Sequence, residues 1–120
     1  MIEDELQRLL DTLPAADRHD VFVEECGDQD VRLRFSLSAG GKWTSAALLS
    51  LADTSLRAAA GLPSMLTHLS VTVLRAPHDA DVLALSRVIR RDGDTLHAET
   101  WLFSHAAVEP MLHATATLSG

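Results

Sequence analysis

Residues 44–61 read T-S-A-A-L-L-S-L-A-D-T-S-L-R-A-A-A-G. Apart from hydroxyls and two charges, Asp53 and Arg57, nearly every residue here is small or apolar. The pattern predicts one helix that is apolar on nearly every side, and such a helix is a buried one. Thr44 or Ser45 supplies an N-cap. Gly61-Leu62-Pro63 supplies the glycine-then-proline stop. A carboxylate in the middle of a buried helix is costly unless it is paired or has a chemical task. Arg57 stands four residues after Asp53 on the same helix face. A structural ion pair and a role in chemistry therefore both stand open for Asp53.

Working outward, residues 2–13 place Ile2, Leu6, Leu9, Leu10 and Leu13 at the spacing of a short amphipathic helix, with Pro14 after it. Residues 21–25 read as a short strand, and Gly27-Asp28-Gln29-Asp30 as a polar turn. Val31, Leu33, Phe35 and Leu37 then alternate with Arg32, Arg34 and Ser36, which is a half-buried strand, so the two strands form a hairpin. Residues 38–43 are a loop into the buried helix. After the helix, four strands follow: 66–74, 82–90, 95–103 and a last one carrying Leu112, Ala114, Ala116 and Leu118. Arg91-Asp92-Gly93-Asp94 is a turn between the second and third of these. Short turns between strands favour an antiparallel sheet. One apolar helix beside one sheet gives an α+β fold, with the sheet curling around the helix. A sheet with one helix to cover it leaves an open edge, which favours pairing with a second copy.

The chain of 120 residues suits a single domain, with residues 1–19 as a helix and lead-in. It is long enough to bury a core without staples. No apolar run approaches a membrane span, and the acidic start M-I-E-D-E-L is unlike a signal peptide. A single cysteine, Cys26, forms no internal disulfide, which fits a reducing cytoplasm and a small packed side chain. The net charge of −7 argues against nucleic-acid partners. With aromatics at 4% and no tyrosine, base-stacking platforms are not expected either.

The segment G-G-K-W-T-S-A-A-L-L-S-L-A-D-T-S, the strand L-T-H-L-S-V-T-V-L-R-A-P and the closing A-T-A-T-L carry a resemblance. Together they are similar to the hotdog-fold thioesterase superfamily, in particular the members related to phenylacetic-acid-pathway thioesterases. The likeness spans roughly residues 21–118, nearly the whole chain. It implies a curved antiparallel sheet wrapped around a central helix, and a homodimer or dimer of dimers. Thr44, Ser45 and Ala46 stand where many of these thioesterases carry His-Gly-Gly, and Arg57 stands where a small or apolar residue is usual.

The resemblance implies hydrolysis of an acyl- or aryl-coenzyme A thioester, with coenzyme A as part of the substrate and no separate cofactor. Asp53 would act as general base or as nucleophile. Burial would raise its pKa toward a useful range. The helix start would stabilise the oxyanion through the backbone N–H of Ala46, across a subunit interface from Asp53. Thr44 and Ser45 cap the helix, or Thr44 positions a water and Ser45 and Arg57 touch substrate. His68 sits where relatives often have an aspartate, and is either a substrate contact or a surface histidine. Arg75, with Lys42, Arg90 and Arg91, would meet coenzyme A phosphates or lie solvated on the surface. His97 and Glu99 share one strand face, a metal-like pair with no third ligand, so no metal is expected. The rival reading is a non-catalytic hotdog protein that binds an acyl or aryl ligand or serves as a structural dimer module. The preserved aspartate favours the enzyme. The replaced triplet and Arg57 favour the rival.

Overall fold

Alternating burial along residues 30–36 sets the frame of the sheet. The computed structural model describes residues 3–11, 20–27, 30–36, 43–61, 64–75, 80–104 and 109–119. In chain order the elements are α1 (Glu3–Asp11), β1 (Asp20–Cys26), β2 (Asp30–Ser36), α2 (Ser45–Ala60), β3 (Met65–Val73), β4 (Val82–Asp92), β5 (Thr95–Ser104) and β6 (Pro110–Ser119). This is the order expected from the sequence: helix, two strands, one long helix, four strands. Expectations about Ile2, Leu13, Pro14, Leu37, Lys42 and Pro63 lie outside the described residues.

All six strands join one antiparallel sheet in the order β1-β2-β4-β5-β6-β3. The chain leaves β2, runs through α2 across the sheet and enters β3 at the far edge. It then returns to β4 beside β2 and meanders back through β5 and β6 to meet β3. The period of two puts Val31, Leu33 and Phe35, then Val82, Ala84 and Val88, then Leu96, Ala98 and Leu102 on one buried face. That face receives α2. Arg32, Leu85, Arg87, Glu99 and Trp101 alternate with these residues and so belong to the opposite, outer face.

The helix is buried on one side. Leu48, Leu51, Ala52, Thr54, Ser55, Leu56, Ala58 and Ala59 are covered, eight of its 16 residues. Ser45, Ala46 and Leu49 are exposed, and Ser50, Asp53, Arg57 and Ala60 are half-buried. The all-round burial expected from composition is therefore corrected. Within one chain the sheet covers half of α2, because a single sheet face reaches only one side of a helical cylinder. Each fully buried leucine there, such as Leu51 or Leu56, removes enough apolar surface from water to stabilise the fold by about 1.5–3 kcal/mol.

Turn chemistry and local ties hold the frame. Gly61 closes α2 at φ 101° and Gly93 sits at φ 60° between β4 and β5, both in the region that favours glycine. Trp43, buried just before α2, donates its Nε1–H to the Ala80 carbonyl at 2.6 Å and so ties the helix entry to the start of β4. Cys26 is half-buried and packs against the core.

The two sheet edges differ. At β1 the side chain of Gln7 acts like a neighbouring strand. Its Nε2 donates to the Val21 carbonyl and its Oε1 accepts from the Val23 N–H, each at 2.9 Å. Leu6 and Leu10, fully buried, anchor α1 over this edge. Among the described residues β3 is paired on one side only, to β6, and Met65, Val73 and Leu74 lie exposed. Replacing Gln7 by Ala strips β1 of both partners. Urea denaturation of Gln7→Ala is expected to show a loss of about 1–2 kcal/mol with an unchanged slope.

Candidate active site on the open face of the helix

Asp53 and Arg57 form a close pair on α2, with Arg57 Nε 3.1 Å from Asp53 Oδ1. The Asp53 side chain is 36% exposed and that of Arg57 is 20% exposed. Arg57 Nε is buried, yet its hydrogen is not aligned on the carboxylate. The pair is therefore held by charge at one helical turn rather than by a well-directed hydrogen bond. Asp53 is not sealed in a core. It lies on the open face of α2 with Ala46, Leu49 and Ser50.

The start of α2 is built as the sequence suggests. Thr44 is the N-cap in an extended conformation, and its Oγ1 accepts from the Ala47 N–H at 3.1 Å. Its carbonyl accepts from the Leu48 N–H at 3.0 Å. Ser45 and Ala46 precede the first intrahelical donor, so their N–H groups have no carbonyl four residues back within the helix. Seven residues separate Ala46 from Asp53, which is about 10 Å along the axis. One copy of the helix therefore cannot bring its own Ala46 N–H and its own Asp53 carboxylate to the same carbonyl carbon.

The other sequence-predicted residues lie on the strands or at their ends. His68 is exposed on β3 and shares its strand parity with Ser70 and Thr72, opposite to Leu69 and Val71, which pack on the core. Arg75 is exposed and paired with Glu109 at 3.2 Å. Arg90 pairs with Asp92 at 2.8 Å, and Arg91 is exposed. His97 lies 3.7 Å from Asp92, away from Glu99.

Glu99 belongs to an arrangement that spacing along one strand does not reveal. Its carboxylate is 11% exposed on the outer face and is held by Arg87 of β4 and by His113 Nε2 of β6, the latter at 3.0 Å. The Trp101 ring stacks on His113 with centroids 4.0 Å apart. Cross-strand register makes this cluster: Arg87 faces Glu99, and Trp101 faces His113. The hydrogen bond with His113 is the main cause that holds the Glu99 carboxyl below its ordinary range; burial opposes this and the Arg87 guanidinium reinforces it. Among the described residues no group of three or more His, Cys, Asp or Glu forms a metal cage.

No protein-family model and no curated protein matches the sequence. Solved structures do match in shape. A presumed thioesterase of Silicibacter sp. TM1040 superposes with a TM-score of 0.84 at 20% identity, over 99% of this chain and 91% of that one. Zebra fish thioesterase superfamily member 2 gives 0.82 at 16% identity, over 100% and 99%. A presumed thioesterase of Ralstonia eutropha JMP134, a phenylacetic acid degradation-related protein, gives 0.78 at 15% identity, over 96% and 98%. This is a hotdog fold. At these identities the likeness is one of architecture, and it agrees with the fold expected from the sequence. In the hotdog frame α2 is the central helix and β3 the free edge of the sheet.

The Glu99 cluster gives a pH test with a definite sign. Its carboxyl is lowered in the folded state, so the unfolded chain binds more protons just below about pH 4.3. The stability it contributes is complete above that value and is lost as pH falls through the folded-state value. Between pH 7 and pH 3, Glu99→Gln is expected to lose less stability than the parent protein. Urea midpoints across this range check it, and a steeper acid loss in the variant would contradict the assignment.

Proposed function

We propose that the chain is an acyl-coenzyme A thioesterase-like hydrolase whose site is completed by a second copy. The observation that carries this reading is the open face of α2. That face presents a carboxylate, Asp53, and a helix start, at Ala46, that a single chain cannot aim at one carbonyl. The unpaired β3 edge with exposed Met65, Val73 and Leu74 supports a partner of the same kind. Solved hotdog structures that bear thioesterase names support the substrate class.

In this reading the thioester carbonyl lies between Asp53 of one copy and the α2 start of the other. Asp53 takes a proton from a water as the water attacks the carbonyl carbon. The oxyanion accepts from the Ala46 N–H, where the positive end of the helix dipole also favours it. Thr44 already orders this turn through its bond to Ala47, and Ser45 stands exposed at the same end to meet substrate. Collapse breaks the carbon–sulfur bond, and the thiolate leaves and takes up a proton. The products are a carboxylic acid and free coenzyme A. Arg57 orients Asp53 and keeps its carboxylate from swinging. His68 is exposed on β3 and Arg75 pairs with Glu109, and in this reading they meet the coenzyme A portion rather than the carbonyl.

The formed Asp53–Arg57 pair specifically favours a second reading. A hotdog dimer that binds an acyl or aryl ligand without cleaving it would use the pair as structure. Hydrolysis of a panel of acyl- and aryl-coenzyme A thioesters, with released thiol detected, separates the two. Turnover is expected in the parent protein and is expected to vanish in Asp53→Asn. Melting of that variant should stay within about 0.5 kcal/mol of the parent, because a partly exposed i,i+4 pair contributes little. Absence of turnover across the panel would leave the binding reading in place.

Assembly is checked by sedimentation equilibrium at micromolar concentration. A dimer or dimer of dimers is the expected mass. A strictly monomeric mass would remove the site along with the interface.

A further inference from the structure

The outer face of the sheet, turned away from α2, contains a cavity of about 350 Å³. Ligand pockets run from roughly 300 to 1,000 Å³, so this one suits a small metabolite and not a coenzyme A thioester. Leu85 and Trp101 form its apolar wall, and Arg32, Glu25, Asp30 and the Arg87–Glu99 pair supply its charges. Cross-strand register builds it: Glu25 faces Arg32, Arg32 faces Leu85, and Leu85 faces Trp101. Asp30 faces Arg87, which faces Glu99, in the adjoining row.

The charges in this cavity divide into two groups. Arg87 and Glu99 satisfy one another, with His113 on the far side of the carboxylate. Arg32 is different. Its Nε is buried and has no hydrogen-bond acceptor among the described residues. Among the described residues its nearest carboxylate oxygen, on Glu24, is 4.0 Å away, too far for a hydrogen bond. The rest of the Arg32 side chain is 41% exposed, so its terminal N–H groups are open to a ligand carboxylate, which would form the charge-assisted pair that Glu24 at 4.0 Å does not. Glu25 and Asp30 have no ion pair among the described residues and offer negative charge at the same opening. Gly27 makes room for the Asp30 carboxylate, because a β-carbon on residue 27 would collide with Asp30 Oδ1.

A simple anion would satisfy Arg32 but would meet Glu25 and Asp30. A simple cation would suit those two and leave Arg32 as it is. A ligand carrying both charges on adjacent atoms, with an apolar arm for Leu85 and Trp101, answers every group in the cavity. We propose that this outer-face cavity is a binding site for a free apolar α-amino acid, with its carboxylate on Arg32, its ammonium toward Glu25 and Asp30, and its side chain against Leu85 and Trp101. The site lies on the opposite side of the sheet from Asp53 and is independent of the reaction proposed there.

Isothermal titration of the full chain with L-phenylalanine and L-leucine tests this, with 3-phenylpropionate and phenethylamine as single-charge analogues. Saturable binding of the amino acids is expected, and binding of both analogues should be at least about tenfold weaker. Arg32→Gln should weaken amino-acid binding by about tenfold or more, since a charged hydrogen bond is lost. Leu85→Asp, at a position 41% exposed, should abolish binding in a protein whose urea midpoint shows it to be folded. The absence of saturable binding of either amino acid at millimolar concentration overturns the proposal. So does unchanged binding in a folded Arg32→Gln protein, or equal binding of 3-phenylpropionate.

Discussion

A single sheet can cover one side of a helix and no more. Everything else in this protein follows from how α2 meets that limit. Its eight covered residues are three leucines and five small side chains, the helix packs mainly on β4 and β5, and they close the core from within the chain. The remaining face carries Ala46, Leu49, Ser50, Asp53 and Arg57, a mixture of small, apolar and charged side chains. Leu49, 41% exposed, is the apolar part of that face and is suited to being covered by another surface.

The sheet edges show the same economy. An edge strand exposes backbone donors and acceptors that invite pairing. The chain blocks this at β1, where α1 lies over the edge and Gln7 takes up Val21 and Val23. Among the described residues it does not do so at β3. In the proposed reading the open helix face and the open sheet edge are both covered by a second copy, which also answers the separation of Ala46 from Asp53 along the helix. One geometric fact links assembly and chemistry: the two groups that would act on one carbonyl sit about 10 Å apart on a rigid rod.

The outer face of the sheet is organised by different physics. Glu99 is nearly covered there because Arg87 and His113 meet its oxygens and Trp101 shelters His113. A buried carboxylate with two such partners is a fixed element that holds neighbouring side chains in place. Beside it, Arg32 keeps one buried donor without an acceptor. The contrast between a satisfied and an unsatisfied guanidinium, one residue pair apart in the register, is what distinguishes the cavity from an ordinary patch of surface charge.

The sequence by itself determined the elements. Alternation in V-R-L-R-F, the apolar run around Leu48–Leu56, the Thr44 cap and the glycines at 61 and 93 encode local conformation, which depends on neighbours within a few residues. It also made the Asp53–Arg57 contact legible, because a spacing of four brings side chains together on any helix. It did not reveal that half of α2 stays open, since apolar composition reports a preference for burial and not the amount of cover available. Nor did it reveal Glu99 with Arg87 and His113, which are 12 and 14 residues away. Reading along one strand paired Glu99 with His97 instead. Only the tertiary structure decided that partnership, because contacts across a sheet are set by strand order and register, and these depend on how distant segments pack together.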